Sequence, residues 1–189
     1  FRITLDPNQR FHTIDETLSL GEALSGYAIE VIEDPIPKKN LNTYAQLRSS
    51  LSIPLALHLE RPSDVLNAIR LNAADALNLR GTLWDVARLG YLAEVAEIKI
   101  WRGSGLDLGI LDASYTHVCA ASPACILGSD IVGQFMREDD LITEPLVYQN
   151  GFVQLPKGPG LGVKLDREAL KHYTVLDPES EKPLSWNIE

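Results

Sequence analysis

The chain has 189 residues, of which 45% are hydrophobic and 23% are charged. That length supports one sizeable core, and the composition excludes a disordered or fibrous protein. The net charge of -9, from 17 basic and 26 acidic residues, argues against nucleic acid or an anionic membrane as the main partner. The chain contains no apolar run of about 18 residues, so the sequence predicts no membrane span.

Segments with strand-like and helix-like patterns alternate along the chain. Strands are predicted at residues 2–6, 28–33, 54–58, 75–79, 97–101 and 125–128. Their starts are separated by about the length of one β/α unit. Such alternation predicts a parallel sheet covered by helices, in either a doubly wound fold or a (β/α)8 barrel.

Helix start signals lie between the predicted strands. Thr13 and Glu16 form the pattern of a capping box, and Thr82 with Asp85 gives a similar start. A further helix is predicted to begin after Pro62 and to run toward Arg70, and another covers residues 115–121. These helices supply the layer that a parallel sheet requires.

The last part of the chain has a different pattern. Asn150 and Gly151 separate two short apolar runs, which predicts a hairpin, and a short helix is expected over residues 166–173. We therefore predict a partial barrel over residues 1–173 and a polar tail over residues 174–189.

The two cysteines, Cys119 and Cys125, are too few for a disulfide framework, so a reduced cytoplasmic setting is expected.

Three polar side chains end the early strand-like runs. Asp6, Glu33 and His58 each follow a short apolar segment, at intervals of about one β/α unit. The carboxyl ends of neighbouring parallel strands meet at one face, where these side chains could converge on a divalent cation.

Several motifs in the same order resemble a known family. The sequence is similar to the barrel domain of the enolase superfamily, in the mandelate racemase/muconate lactonizing enzyme group, and within it to glucarate dehydratase-like acid-sugar dehydratases. The likeness is carried by residues 3–8, 33–35, 71–75, 115–123 and 158–166. It implies a (β/α)7β-type barrel that is incomplete at its N-terminal side and begins at the third strand.

The resemblance also implies a metal site and a reaction. Asp6, Glu33 and His58 fall on the family's metal-ligand positions, and Glu60 is an alternative to His58. The implied cofactor is Mg²⁺, although imidazole suits zinc and other transition metals better. The implied activity is that of a lyase or isomerase which removes a proton α to a carboxylate of a small carboxylate or sugar-acid substrate.

The sequence departs from the family where a catalytic His–Asp dyad is expected. Arg80 and Gly103 occupy those two positions, and Lys99 is the candidate for a replacement base. An alternative interpretation is therefore a catalytically impaired member that serves as a binding or structural module. A doubly wound protein outside the family is a third interpretation, but the sequence lacks the glycine-rich phosphate loop that it would require.

The sequence also offers candidates for contact with the substrate and with a partner. The candidate substrate-binding residues are Asn8, Arg80, Arg102 and Ser104. The family's strand with a Lys-x-Lys motif would lie upstream of Phe1. We therefore expect either a missing N-terminal part of the same protein or a homo-oligomer to cover the open edge of the barrel.

Overall fold

The computed structural model describes residues 1–103 and 106–175, which form two compact units. The first unit comprises residues 1–103 and 118–130, and the second comprises residues 106–117 and 131–175. The boundary predicted at residue 173 stays a prediction, because residues 176–189 lie outside the described part of the chain.

A five-stranded parallel sheet forms the first unit, and its strands follow one another in chain order. The strands are β1 (Ile3–Leu5), β2 (Ile29–Glu33), β3 (Leu55–Leu59), β4 (Ala76–Leu79) and β5 (Lys99–Trp101). All five were predicted from the sequence. The sixth predicted strand, residues 125–128, is reduced to a single parallel bridge between Ile100 and Cys125.

Helices follow the strands, and most of them begin at a side-chain cap. They are α1 (Ile14–Ala23), α2 (Leu41–Ser50), α3 (Pro62–Leu71), α4 (Leu83–Val95), α5 (Gly109–Ala121) and α6 (Arg167–Tyr173). Thr13 with Glu16 and Thr82 with Asp85 form capping boxes, as predicted. No described helix combines the length and apolarity needed to cross a bilayer.

The two faces of the sheet have different packing. Helix residues such as Tyr44, Val65 and Leu89 pack against strand residues of one face, among them Leu57 and Leu77. The opposite face, called the inner face here, carries a separate small cluster of Val31, Ala56, Ala76 and Trp101, with Leu127 against it. Within the described residues the helices cover one face only, which is the arrangement of a (β/α) barrel rather than of a doubly wound sheet. The prediction of an incomplete barrel is therefore confirmed.

Replacing Thr82 by Ala should lower the free energy of unfolding by about 1 kcal/mol, because the first turn of α4 loses its cap. The Thr82 side chain accepts a hydrogen bond from the Asp85 backbone N–H, and the Asp85 carboxylate accepts one from Thr82 N. Chemical denaturation measures the loss. Ser63→Ala, at the exposed start of α3, is the matched control and should change stability by less than about 0.5 kcal/mol. Equal losses in the two variants would contradict the prediction.

The second unit contains a hairpin and a buried ion pair. Strands β6 (Tyr148–Gln149) and β7 (Phe152–Val153) are antiparallel and flank Asn150 and Gly151, which both have positive φ. This is the turn predicted from the Asn-Gly pair. The Arg137 guanidinium lies 3.5 Å from the fully buried Asp112 carboxylate, which compensates its charge.

Candidate metal centre

Polar side chains extend the inner face at the carboxyl ends of three strands. Glu33 lies two residues beyond Val31, His58 two beyond Ala56, and Asn78 two beyond Ala76. Because strand side chains alternate between faces, each polar residue shares the inner face with its apolar neighbour. The pairing of His58 with Asn78 across β3 and β4 agrees with this assignment. The apolar cluster thus gives way to a polar layer.

Glu33 is the most buried acid of this layer, with 5% of its surface exposed. Its Oε1 accepts a hydrogen bond of 2.8 Å from the Asn78 side-chain amide. The Asn78 Oδ1 in turn accepts one of 2.7 Å from the Gly103 backbone N–H. Burial raises the pKa of Glu33 to about 7, and the charges of Asp6, Asp34 and Asp130 act in the same direction, while the Asn78 hydrogen bond opposes the shift.

His58 is half-buried, and one of its ring nitrogens is available to bind a metal ion. Its Nε2 has no hydrogen-bond partner among the described residues, and it lies 3.8 Å from Glu60 Oε1. Nδ1 lies 3.8 Å from Glu33 Oε1, so neither contact is a hydrogen bond. Burial, together with the charges of Lys38 and Arg80, lowers the pKa of His58. The imidazole is therefore neutral at pH 7, which is the form that binds a metal.

Asp34 follows Glu33 but is already occupied by other partners. Its carboxylate forms an ion pair with Lys38 and accepts a hydrogen bond of 3.1 Å from the His58 backbone N–H. Burial raises the pKa of Asp34, and the Lys38 ammonium opposes this shift. Potential ligand atoms of Glu33, Asp34 and His58 lie within 4.8 Å of one another. Because Lys38 compensates Asp34, we consider Glu33 and His58 the stronger ligand candidates of the three.

Asp6 lies beyond β1 and is exposed. Both of its carboxylate oxygens accept hydrogen bonds from Asn8, one of 2.8 Å from the backbone and one of 2.9 Å from the side chain. Asp6 does not belong to the group of atoms within 4.8 Å, although its negative charge raises the pKa values of Glu33 and Asp34. Asp6 is thus near the cluster, and its carboxylate is oriented by Asn8.

Only some of the other site residues predicted from the sequence lie near Glu33 and His58. Arg80 and Glu60 lie at the rim beside His58, with Arg80 Nε 4.0 Å from Glu60 Oε1. Lys99 is exposed at the start of β5, at the opposite end from Glu33, so it is not brought to the site. Arg102 is buried, with 1% of its surface exposed, and Ser104 lies outside the described residues.

The residues present fit a divalent cation. The Glu33 carboxylate has a raised pKa, and the neutral His58 imidazole has an Nε2 with no hydrogen-bond partner in the described part of the chain. Together with a second acidic side chain nearby, Asp6 or Asp34, they form a donor set of oxygen and nitrogen atoms. The negative charges of Asp6 and Asp34 contribute to the raised pKa of Glu33, and a cation would relieve this repulsion. Oxygen donors suit Mg²⁺ and Mn²⁺, while the imidazole favours transition metals.

Two residues of the site were missed by the sequence analysis. Asn78 is a buried amide within an otherwise apolar strand, and that polar interruption is a signal the sequence contains. Lys38 gave no comparable signal, because it stands beside Lys39 in the loop between β2 and α2, and only the fold brings it to Asp34.

The fold and site define a class: a (β/α) barrel domain with carboxylates and a histidine at the carboxyl ends of its strands. A family model described as enolase C-terminal domain-like matches residues 1–169. The chain therefore belongs to the enolase C-terminal domain-like family, in the mandelate racemase/muconate lactonizing enzyme group.

Curated relatives and solved structures agree with this assignment. Muconate cycloisomerase 1 of Rhodococcus opacus is 29% identical over 178 residues, which are 91% of this chain and 48% of the relative. An N-succinyl-L-Arg/Lys racemase of Bacillus cereus is 27% identical over 180 residues, covering 92% of this chain and 48% of the relative. The crystal structure of the N-succinyl Arg/Lys racemase from Bacillus cereus superposes with a TM-score of 0.86 at 25% identity, covering 93% of this chain and 48% of that one.

The chain spans about half the length of the curated relatives that it matches. The two relatives described are a cycloisomerase and a racemase, so they support the family and the group but not the narrower likeness to glucarate dehydratases.

Proposed function

We propose that the protein carrying this chain is a metal-dependent lyase or isomerase that removes a proton α to a carboxylate. The observation that carries the proposal is the pairing of a buried Glu33, whose pKa is raised to about 7, with a neutral His58 whose Nε2 is unpaired among the described residues. Perturbed groups at the carboxyl ends of barrel strands are typical of functional sites. The cycloisomerase and racemase names of the relatives support the same type of reaction.

The proposed ligands are Asp6, Glu33 and His58, with Glu60 as the alternative to His58. Asn78 holds Glu33 through a hydrogen bond of 2.8 Å, and Asn8 orients Asp6. A bound divalent cation, Mg²⁺ in the first instance, would neutralise the negative charge that develops on the substrate carboxylate. The general base is proposed to come from a part of the protein outside the described residues.

The proposed substrate is a small carboxylate. Arg80 is partly exposed at the rim beside Glu60. We propose that its guanidinium binds the substrate carboxylate and that Asn8 makes a further polar contact. A D-galactarolactone cycloisomerase of Agrobacterium fabrum is among the relatives, at 27% identity over 194 residues. The name of this relative supports a sugar-acid lactone as a candidate substrate, whereas the dehydratase reaction rests on the sequence resemblance alone.

The test is deuterium incorporation by the full-length protein in D₂O with Mg²⁺ or Mn²⁺. NMR would follow a panel of muconolactone, N-succinyl amino acids and acid sugars. We expect incorporation or turnover on at least one member, dependent on the cation and reduced at least about 100-fold in Glu33→Gln. The absence of both exchange and cation binding in the wild-type protein would contradict the proposal.

A catalytically impaired binding module is the second candidate. The observation that favours it is the position of Gly103, where the neighbouring Asn78 amide leaves no room for the histidine of the family dyad. Cation binding without exchange on any substrate would support this candidate over the first.

The partners and the location of the protein are also proposals. We propose that the open edge of the barrel is completed by an N-terminal part of the same protein or by a second copy. The cytoplasmic setting predicted from the two cysteines stays a prediction. Within the described residues, both cysteines are free thiols.

A further inference from the structure

Asp34 has a backbone conformation that its neighbours must stabilise. Its φ is 42°, in the left-handed region that non-glycine residues rarely adopt. It also precedes Pro35, and a residue before proline normally favours extended conformations. Such conformations cost about 1–3 kcal/mol and persist only where several contacts fix them. The segment directly after Glu33 is therefore held in place from outside β2.

The contacts that fix Asp34 come from the ends of two neighbouring strands. On the side of β3, its carboxylate accepts the hydrogen bond from His58 N, 3.1 Å long, and its backbone N–H donates one of 3.1 Å to Ala56 O. On the side of β1, its carbonyl accepts a hydrogen bond of 2.6 Å from Gln9 N. Asp34 thus connects the segments that follow β1 and β2 with the end of β3.

Lys38 completes these connections. Its ammonium forms the ion pair with Asp34 and also donates a hydrogen bond of 2.7 Å to the His58 carbonyl oxygen. Its backbone N–H donates one of 3.3 Å to the Gln9 side chain. The side chains of Lys38 and Asp34 are 24% and 7% exposed, so water screens the pair only weakly. Removal of one partner would leave a largely buried charge uncompensated.

We propose that Asp34 and Lys38 form a strand-end clamp that sets the positions of Glu33, His58 and the Asp6 segment relative to one another. In this role they are positioning residues and do not bind the cation themselves. The part of this inference that concerns cation affinity rests on the proposed function, whereas the clamp itself is a property of the hydrogen-bonded segments.

The test compares Lys38→Met with Lys39→Met in the whole chain. Lys39 is the adjacent lysine, and it is exposed, so the two variants lose the same charge from neighbouring positions. Amide hydrogen exchange should accelerate about tenfold or more at Gln9 and His58 in Lys38→Met, with α4 unchanged. Lys39→Met should leave all of these rates as in the wild-type chain. Lys38→Arg should restore most of the protection, because the guanidinium can pair with Asp34.

A second readout separates positioning from a general loss of stability. The dissociation constant for Mn²⁺ should rise about 10- to 100-fold in Lys38→Met, as is usual when a group that orients a ligand is removed. If Lys38→Met does not fold, Asp34→Asn is the substitute variant, because it keeps the shape of the side chain and loses its charge. It should show the same faster amide exchange and the same rise in the Mn²⁺ dissociation constant. Exchange that accelerates equally in α4, or not at all at Gln9 and His58, would overturn the clamp. Wild-type affinity for Mn²⁺ in a variant with accelerated exchange would overturn the positioning role.

The two proposals fail in different ways. A wild-type chain that binds no Mn²⁺ would contradict the proposed metal site, and the exchange rates at Gln9 and His58 would still decide whether the clamp exists.

Discussion

Replacing Glu33 by Gln should stabilise the cation-free protein above pH 7 and remove its affinity for divalent cations. In the folded protein, burial raises the pKa of Glu33 from its ordinary 4.5 to about 7, so folding favours the protonated carboxyl. The contribution of protonated Glu33 to the free energy of unfolding is therefore fully present below pH 4.5 and is lost as the pH rises through 7. At 1.36 kcal/mol per pKa unit, the loss is about 3 kcal/mol at most. The substituted glutamine side chain keeps an oxygen that can accept the Asn78 hydrogen bond and has no charge to bury.

The measurement is the free energy of unfolding from pH 4.5 to 8, without and with Mn²⁺. Wild-type stability should decline over this range without the cation and recover on its addition, because the cation neutralises the ionised Glu33. Glu30→Gln is the matched control, since it makes the same change on the same strand, where Glu30 pairs with the exposed Arg2. A Glu33→Gln variant that keeps wild-type affinity for Mn²⁺ would disprove the assignment of Glu33 as a ligand.

Replacing Gly103 by Ala should destabilise the protein and disturb Glu33, although the two residues are far apart in the sequence. A Cβ atom at position 103 would lie 2.7 Å from Asn78 Oδ1 and 2.9 Å from its Cγ. Asn78 cannot move aside freely, because its amide is hydrogen-bonded to both Gly103 N and Glu33. Overpacking of this kind costs about 1–3 kcal/mol, and the displaced amide would also release Glu33.

Denaturant unfolding and Mn²⁺ titration test this prediction together. Gly128→Ala is the matched control in the same unit, since a Cβ there would meet no atom within 4 Å. A Gly103→Ala variant with wild-type stability and Mn²⁺ affinity would show that Asn78 does not hold Glu33. The same geometry predicts that a histidine, which the resemblance implies at this position in the family, does not fit beside Asn78 in the present chain. Gly103→His should therefore harm the site rather than restore a dyad.

Local sequence patterns were sufficient for most of the secondary structure. The capping boxes at Thr13 and Thr82 specify the starts of α1 and α4, and the Asn-Gly turn specifies the β6–β7 hairpin. Each signal acts through contacts between residues no more than about five positions apart. Helix α2 was not predicted individually, because its sequence is largely polar and its cap, Asn40, has no capping-box partner. The prediction of a full strand at residues 125–128 was wrong in extent, since only one bridge to Ile100 forms there.

The sequence by itself determined the alternation of β/α units, and hence the parallel sheet with Glu33 and His58 at the ends of its strands. Only the tertiary structure decided which side chains meet. Asn78 reaches Glu33 across 45 residues, Lys38 reaches the carbonyl of His58 across 20, and Lys99 is left at the far end of its strand. The physical reason is register: a shift of one residue between neighbouring strands would turn every side chain to the other face. No local pattern fixes the register, because it depends on how the whole sheet packs.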